Sequence, residues 1–153
     1  MTHKATAHDG ELILKLYDLR REAELRKARN YMVAEFWPQN ADDVVKLVNS
    51  FPGQENAWMR QVLGYWDIAA SLVLHGALHQ DLFLEPGFSG EMFFILGKIY
   101  PLLKETRGKL NNAQMLANVE KVATSTKASR KRLELSVERA AARSKALAKK
   151  AGK

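Results

Sequence analysis

The stretch Val62-Leu63-Gly64-Tyr65-Trp66-Asp67-Ile68-Ala69-Ala70-Ser71-Leu72-Val73-Leu74-His75-Gly76 decides the fold. Leu63, Trp66, Ala70, Val73 and Leu74 cover one side of a helix, and Val62, Tyr65, Ala69 and Leu72 cover the adjoining one. A helix apolar most of the way round is central to its fold, since only surrounding elements can keep that much surface from water. The spacing predicts a helix from about Gln54 to His75, with Gly76 as the residue just past its end.

Upstream, Phe51-Pro52-Gly53 stops a short helix that Asn40 caps. Asp42 and Asp43 favour its dipole, and Val44, Val45, Leu47 and Val48 form its apolar side. Nearer the start, Leu12, Leu16 and Leu19 make a stripe on a helix opening at Asp9, and Leu25, Ala28, Met32 and Phe36 make a second. The six residues from Leu19 to Leu25 turn the second stripe about 120° around the first. One straight helix cannot aim both at one core, so a break is predicted near Arg21–Glu24, with an end at Trp37-Pro38.

Downstream, a short helix spans Gln80–Leu84, and the last core helix runs from Phe88 to Lys104. Asn111 or Asn112 caps a further helix carrying Met115, Leu116, Val119 and Val122. From Thr124 onward the chain is Ala, Ser, Lys and Arg, with Leu133, Leu135, Val137 and Leu147 as its large apolar residues. Helix propensity is high there, but a separate core is impossible. No run alternates in the manner of a strand. The expectation is an all-α fold: a mobile N-terminus over 1–8, a helical core domain over 9–106 and a basic helical extension over 107–153. Trp66, Leu63, Val73, Phe93, Leu96 and Ile99 should be nearly fully buried.

The 153 residues are 46% hydrophobic, enough for one domain with a real core. No cysteine is present, which excludes disulfides, thiolate metal sites and a cysteine nucleophile. The start, Met1-Thr2-His3-Lys4-Ala5-Thr6, lacks the apolar region of a secretory signal. The apolar runs Val62–Leu78 and Met92–Leu103 are interrupted by Asp67, His75, Lys98 and Pro101 and fall short of the ~20 residues of a membrane span. No integral membrane segment is expected, and the cytoplasm is the expected compartment.

Charge is unevenly distributed. Residues 1–105 hold 11 Lys/Arg against 14 Asp/Glu, a net −3, and residues 106–153 hold 13 against 3, a net +10.

Three segments carry a family resemblance: Tyr65-Trp66-Asp67 through His75-Gly76 to Asp81-Leu82, Leu16-Tyr17-Asp18 with Glu24-Leu25-Arg26-Lys27-Ala28-Arg29, and Tyr100-Pro101-Leu102 with Glu105-Thr106-Arg107. Together, over roughly residues 10–107, they resemble a bacterial family known only as a domain of unknown function. Its pattern is an aromatic-acid pair, an apolar helix, a glycine turn, an acidic-Leu pair and a helix ending in Arg. The resemblance implies no activity. Many relatives carry an N-terminal membrane helix that this sequence lacks, so membrane association is not carried over.

Few residues point to chemistry. His75 and His79 stand four apart, a metal-ligand spacing, but Gly76 ends the helix between them and no His-Glu-x-x-His pattern exists. A surface or capping role is expected, and His3 and His8 lie in the N-terminal segment. No metal or cofactor is expected. Asp67, in the middle of an apolar helix, is either an acid/base with a raised pKa or a paired carboxylate. The second reading is preferred, because no nucleophile or second carboxylate accompanies it; Arg107 is the expected partner, ahead of Arg60 and Arg29. No Walker loop or dinucleotide fingerprint is present, and no Arg has a His five residues later, the pair that helical ribonuclease bundles use.

The extension admits three readings. Lys127, Arg130, Lys131, Arg132, Arg139, Arg143 and Lys145, with Lys149 and Lys150, could neutralise phosphates on nucleic acid. Residues 101–153 contain no aromatic, so base stacking is not available from them. Val119, Val122, Thr126, Ser129, Leu133 and Ala140 form a seam that could support self-association. The third reading is a solvated Ala/Lys/Arg helix or one packed on an acidic neighbour. The reading adopted is a non-enzymatic interaction or binding protein. A sequence-independent nucleic-acid-associated protein is the alternative, and an enzyme of unrecognised type comes third.

Overall fold

The computed structural model describes residues 3–152, and every regular element among them is helical. In chain order these are α1 (Ala7–Leu19), α2 (Ala23–Asn30), a π-helical turn (Tyr31–Glu35), α3 (Ala41–Asn49), α4 (Gln54–Leu74), α5 (Gln80–Leu84), α6 (Pro86–Leu110), α7 (Ala117–Ala123) and α8 (Lys127–Ala151).

Local signals explain most of the boundaries. α1 and α2 are separate helices, as the rotated stripes require. Glu22 caps α2 by accepting the Leu25 N–H at 2.8 Å. Asn40 caps α3 by accepting the Asp43 N–H at 3.0 Å. Gly76 leaves α4 at φ 72°, a left-handed turn that any Cβ would strain.

Three expectations are corrected here. α1 opens two residues earlier than Asp9, with Thr6 as its cap: the Asp9 N–H reaches the Thr6 hydroxyl at 3.3 Å and the Asp9 carboxylate accepts the Thr6 N–H at 2.8 Å. The other Asp9 oxygen accepts the His79 N–H at 2.8 Å, which ties the first turn of α1 to the start of α5. Met1 and Thr2 lie outside the described residues. Asn111 ends α6 at φ 50° instead of opening the next helix, since asparagine tolerates the left-handed region as readily as it caps. The expected boundary at residue 107 falls inside α6.

α4 and α6 hold the core. Trp66, Phe83, Phe93, Leu96 and Ile99 are buried, with Trp66 edge-on to Phe83 and Phe88. Val73 is buried as expected, whereas Leu63 is half-buried at the rim, beside Asp67. The same core continues through Leu116, Val119, Val122 and Leu133, so α7 and the first half of α8 belong to it. The seam read as self-associating is therefore mostly engaged within one chain: Val119, Val122, Ser129, Leu133 and Ala140 are buried.

α8 packs along α6 at very close range. A Cβ on Gly97 would lie 2.7 Å from the Ser136 carbonyl oxygen, so only glycine allows the two backbones to meet there.

Candidate binding groove and its surroundings

Asp67 does not pair with Arg107. Its Oδ1 accepts the backbone N–H groups of Asn118 at 3.1 Å and Val119 at 3.3 Å, and its Oδ2 accepts the Asn118 side-chain amide at 2.8 Å. α7 needs this, because its own cap position is Leu116, which has no side-chain acceptor and sits at φ 55°. Asp67 thus caps α7 from α4. α6 runs on past its expected end and carries Arg107 toward the chain that follows. There Arg107 bonds the Met115 carbonyl at 2.8 and 3.0 Å and the Glu120 carboxylate at 2.6 Å.

His75 and His79 are not brought together as ligands. His75 is the exposed cap at the end of α4, while His79 caps α5 and its Nε2 lies 2.6 Å from the His3 carbonyl.

Three buried or half-buried cations and ion pairs were not singled out from the sequence. Arg20 is buried with its guanidinium 4.6, 4.7 and 4.9 Å from the rings of Trp66, Phe88 and Tyr17. It donates to the Phe88 carbonyl at 2.6 Å. Arg29 pairs with Glu91 at 2.7 Å, and Glu91 also accepts the Trp66 indole N–H at 3.3 Å. Lys98 is buried and donates to the carbonyls of Met32, Val33 and Phe36, the acceptors left free where the π-helical turn ends. Burial pulls its pKa down to about 8. Lys98 had a visible signal, a lone lysine inside an apolar run; Arg20 had none, lying in a charged stretch.

The charged candidates on α8 divide between its sides. Lys127 and Lys131 are exposed. Arg130 donates to the Thr124 carbonyl at 2.7 Å on the side where Glu134 and Glu138 stand by Tyr100. Lys145 lines a cavity of about 270 Å³ with Trp37 and Lys98.

Arg132, Arg139 and Arg143 line a different feature, an open groove of about 780 Å³ between α8, the first half of α6 and the π-helical turn. Its other lining is largely apolar, with Val33, Trp37, Phe93, Phe94, Leu135 and Leu147. Arg132 is fixed in place: its Nη1 donates to the Leu84 carbonyl at 2.7 Å and the Ser89 hydroxyl at 2.9 Å, and its guanidinium stacks 4.1 Å from the Phe93 ring centre. Burial holds its pKa below the usual arginine value, with Glu85 opposing. Among the described residues, no carboxylate lies within ion-pairing distance of Arg132, Arg139 or Arg143. Aromatics absent from the extension's own sequence are thus supplied by the body, across the groove from the arginines.

The fold defines an all-α domain in which α8 is laid over α6. Residues 5–126 match the family described as a domain of unknown function (DUF4760), and the chain belongs to that family. No curated protein and no solved structure matches the chain. The matched residues end at Thr126, the cap of α8, so Trp37, Phe93, Phe94 and Gly97 lie within the match and the three arginines beyond it. No helix among the described residues is long and apolar enough to cross a membrane.

Proposed function

We propose that the protein is a non-enzymatic interaction protein of the cytoplasm whose binding face is the α6–α8 groove and whose partner is anionic. One observation carries this reading: Arg132, Arg139 and Arg143 line a largely apolar groove, and among the described residues no carboxylate lies within ion-pairing distance of them. An arginine beside an apolar wall offers a bound carboxylate or phosphate a charge-assisted, bidentate partner. The two most pointed titratable groups, Asp67 and Lys98, are engaged with backbone, which favours binding over catalysis.

A nucleic-acid partner is the second reading. Trp37 and Phe94 stand in the same groove as the arginines, so stacking surfaces and phosphate-binding cations share one site.

The test compares two charge reversals of equal size. Arg139→Glu/Arg143→Glu changes the groove, and Lys149→Glu/Lys150→Glu changes the end of α8. Fluorescence polarisation would follow a labelled oligothymidylate and a labelled oligoglutamate peptide from about 50 to about 200 mM salt. Binding of either probe that is lost in the groove variant and kept in the other supports the proposal. Equal loss in both would mean that net charge alone is at work, and that would sink it. So would an absence of binding to either probe.

A further inference from the structure

The partner's chemistry can be narrowed, on the basis of the proposed anionic binding face. From Arg132 to Leu147 the groove follows α8 for 15 residues, about 22 Å at the helical rise. A guest helix of about four turns covers that length. The groove is also asymmetric. On the α8 side Arg132, Arg139 and Arg143 carry the charge, while the facing wall presents Val33, Trp37 and Phe94 and contributes no charged side chain to the lining. Phe94 and Leu135, each 40% exposed, are large apolar surfaces in the lining of the same open groove.

We infer that the groove takes an amphipathic helix of a partner protein, with its apolar stripe on Phe94, Trp37 and Leu135 and its acidic flank toward Arg139 and Arg143. An apolar stripe at i, i+3, i+4 and i+7 is the surface that helix-in-groove recognition reads, and such a stripe has carboxylates available only beside it. A single nucleic-acid strand fits less well. Its backbone is charged along its whole length, and one of the two walls offers it no cation. The contiguous exposed apolar surface also suits a macromolecular guest of matching hydrophobicity.

A display library of random peptides of about 16 residues, the length of about four turns, tests this without assuming a sequence. The full-length protein serves as bait, and its Arg139→Glu/Arg143→Glu and Leu135→Glu variants serve as counter-baits. All three substituted positions are exposed, and circular dichroism verifies that each variant keeps its helicity. Selected peptides should carry apolar residues at helical spacing with Asp or Glu along one flank. Their affinity should fall by about tenfold or more on each variant, the factor that the loss of one well-made charged or apolar contact gives. Peptides lacking the acidic flank or the helical repeat overturn the inference, as do peptides that bind the variants equally well. If no peptide is enriched and oligothymidylate binds through Arg139 and Arg143, the partner is a nucleic acid: the inference falls and the proposed binding face stands. If neither probe binds, both fall.

Discussion

Gly97 of α6 and Ser136 of α8 touch through their backbones: a methyl group added at position 97 would meet the Ser136 carbonyl oxygen at 2.7 Å. The contact sets the distance between the two helices and so the width of the groove beside them. Gly97→Val should therefore push α8 outward, at a cost of about 1–3 kcal/mol typical of overpacking. Thermal unfolding reads the loss. An unchanged melting temperature would mean that α8 rides on α6 more loosely than the structure has it.

Asp67→Ala should lower stability by about 0.5–2 kcal/mol, the range for removing a helix cap. The partner is decided by double-mutant cycles. Asp67 should couple to Asn118, while Asp67 and Arg107, which share no contact, should combine closer to additively. Strong Asp67–Arg107 coupling in denaturant titrations would restore the ion pair expected from sequence.

Lys98 predicts a rise in stability with pH. Its pKa is about 8 in the folded protein against an ordinary 10.5, so between those values the unfolded chain holds more of the proton. Folding then becomes more favourable as pH increases through that window. Urea titrations of the wild type and Lys98→Met at steps from pH 7 to 10.5 should show the wild type gaining ground over the variant. A flat difference would place the ammonium in a better-solvated setting.

Asp9 acts in the opposite direction, at the acid end. Hydrogen bonds from the backbone and hydroxyl of Thr6, and then from the His79 N–H, hold its carboxyl near 2, below the ordinary 3.8. The stability it contributes is complete above about pH 4 and is lost as pH falls toward 2. Protection factors in α1, taken relative to the intrinsic exchange rate at each pH, should fall over that interval, and Asp9→Asn should show low protection at all pH values. Acid-insensitive protection of α1 would contradict the assignment.

Deleting residues 127–153 should destabilise the body, because Leu133 is buried in the common core and α8 covers Gly97. Leu133→Ala alone should cost roughly 2–5 kcal/mol. A melting temperature unaffected by the deletion would make α8 the independent extension that its composition suggested.

The order and approximate extent of the helices were legible because periodicity, caps and breakers are local. Asn40, Gly76 and the rotated Leu19 and Leu25 stripes each act within a few residues of the boundary they set. The partner of Asp67 was not legible, since it is chiefly the backbone N–H of Asn118 and Val119, and any residue other than proline offers that donor. The arginines of the groove were visible as charge, but their setting was not. Trp37 and Phe94 meet Arg139 only because α8 docks on α6, and the small residues that permit this, Gly97 and Ser136, carry no distinctive pattern. The extension was read as separate on its few large apolar residues, yet Leu133 and Ala140, at intervals along one side, are enough to seat it.

Trp37 gives the groove a reporter of its own. Its indole N–H is fixed by the Ala34 carbonyl at 3.0 Å, its ring stands edge-on to Phe94, and the Lys98 ammonium lies 4.4 Å from the ring centre. Trp66 is sealed in the core and Trp58 packs against Tyr31, away from the groove lining, so neither senses an arrival there. A guest settling on Phe94 would displace solvent from the half-buried face of Trp37 and move its emission toward the blue. Occupancy could thus be followed by intrinsic fluorescence with no label attached, and Trp37→Phe would provide the blank.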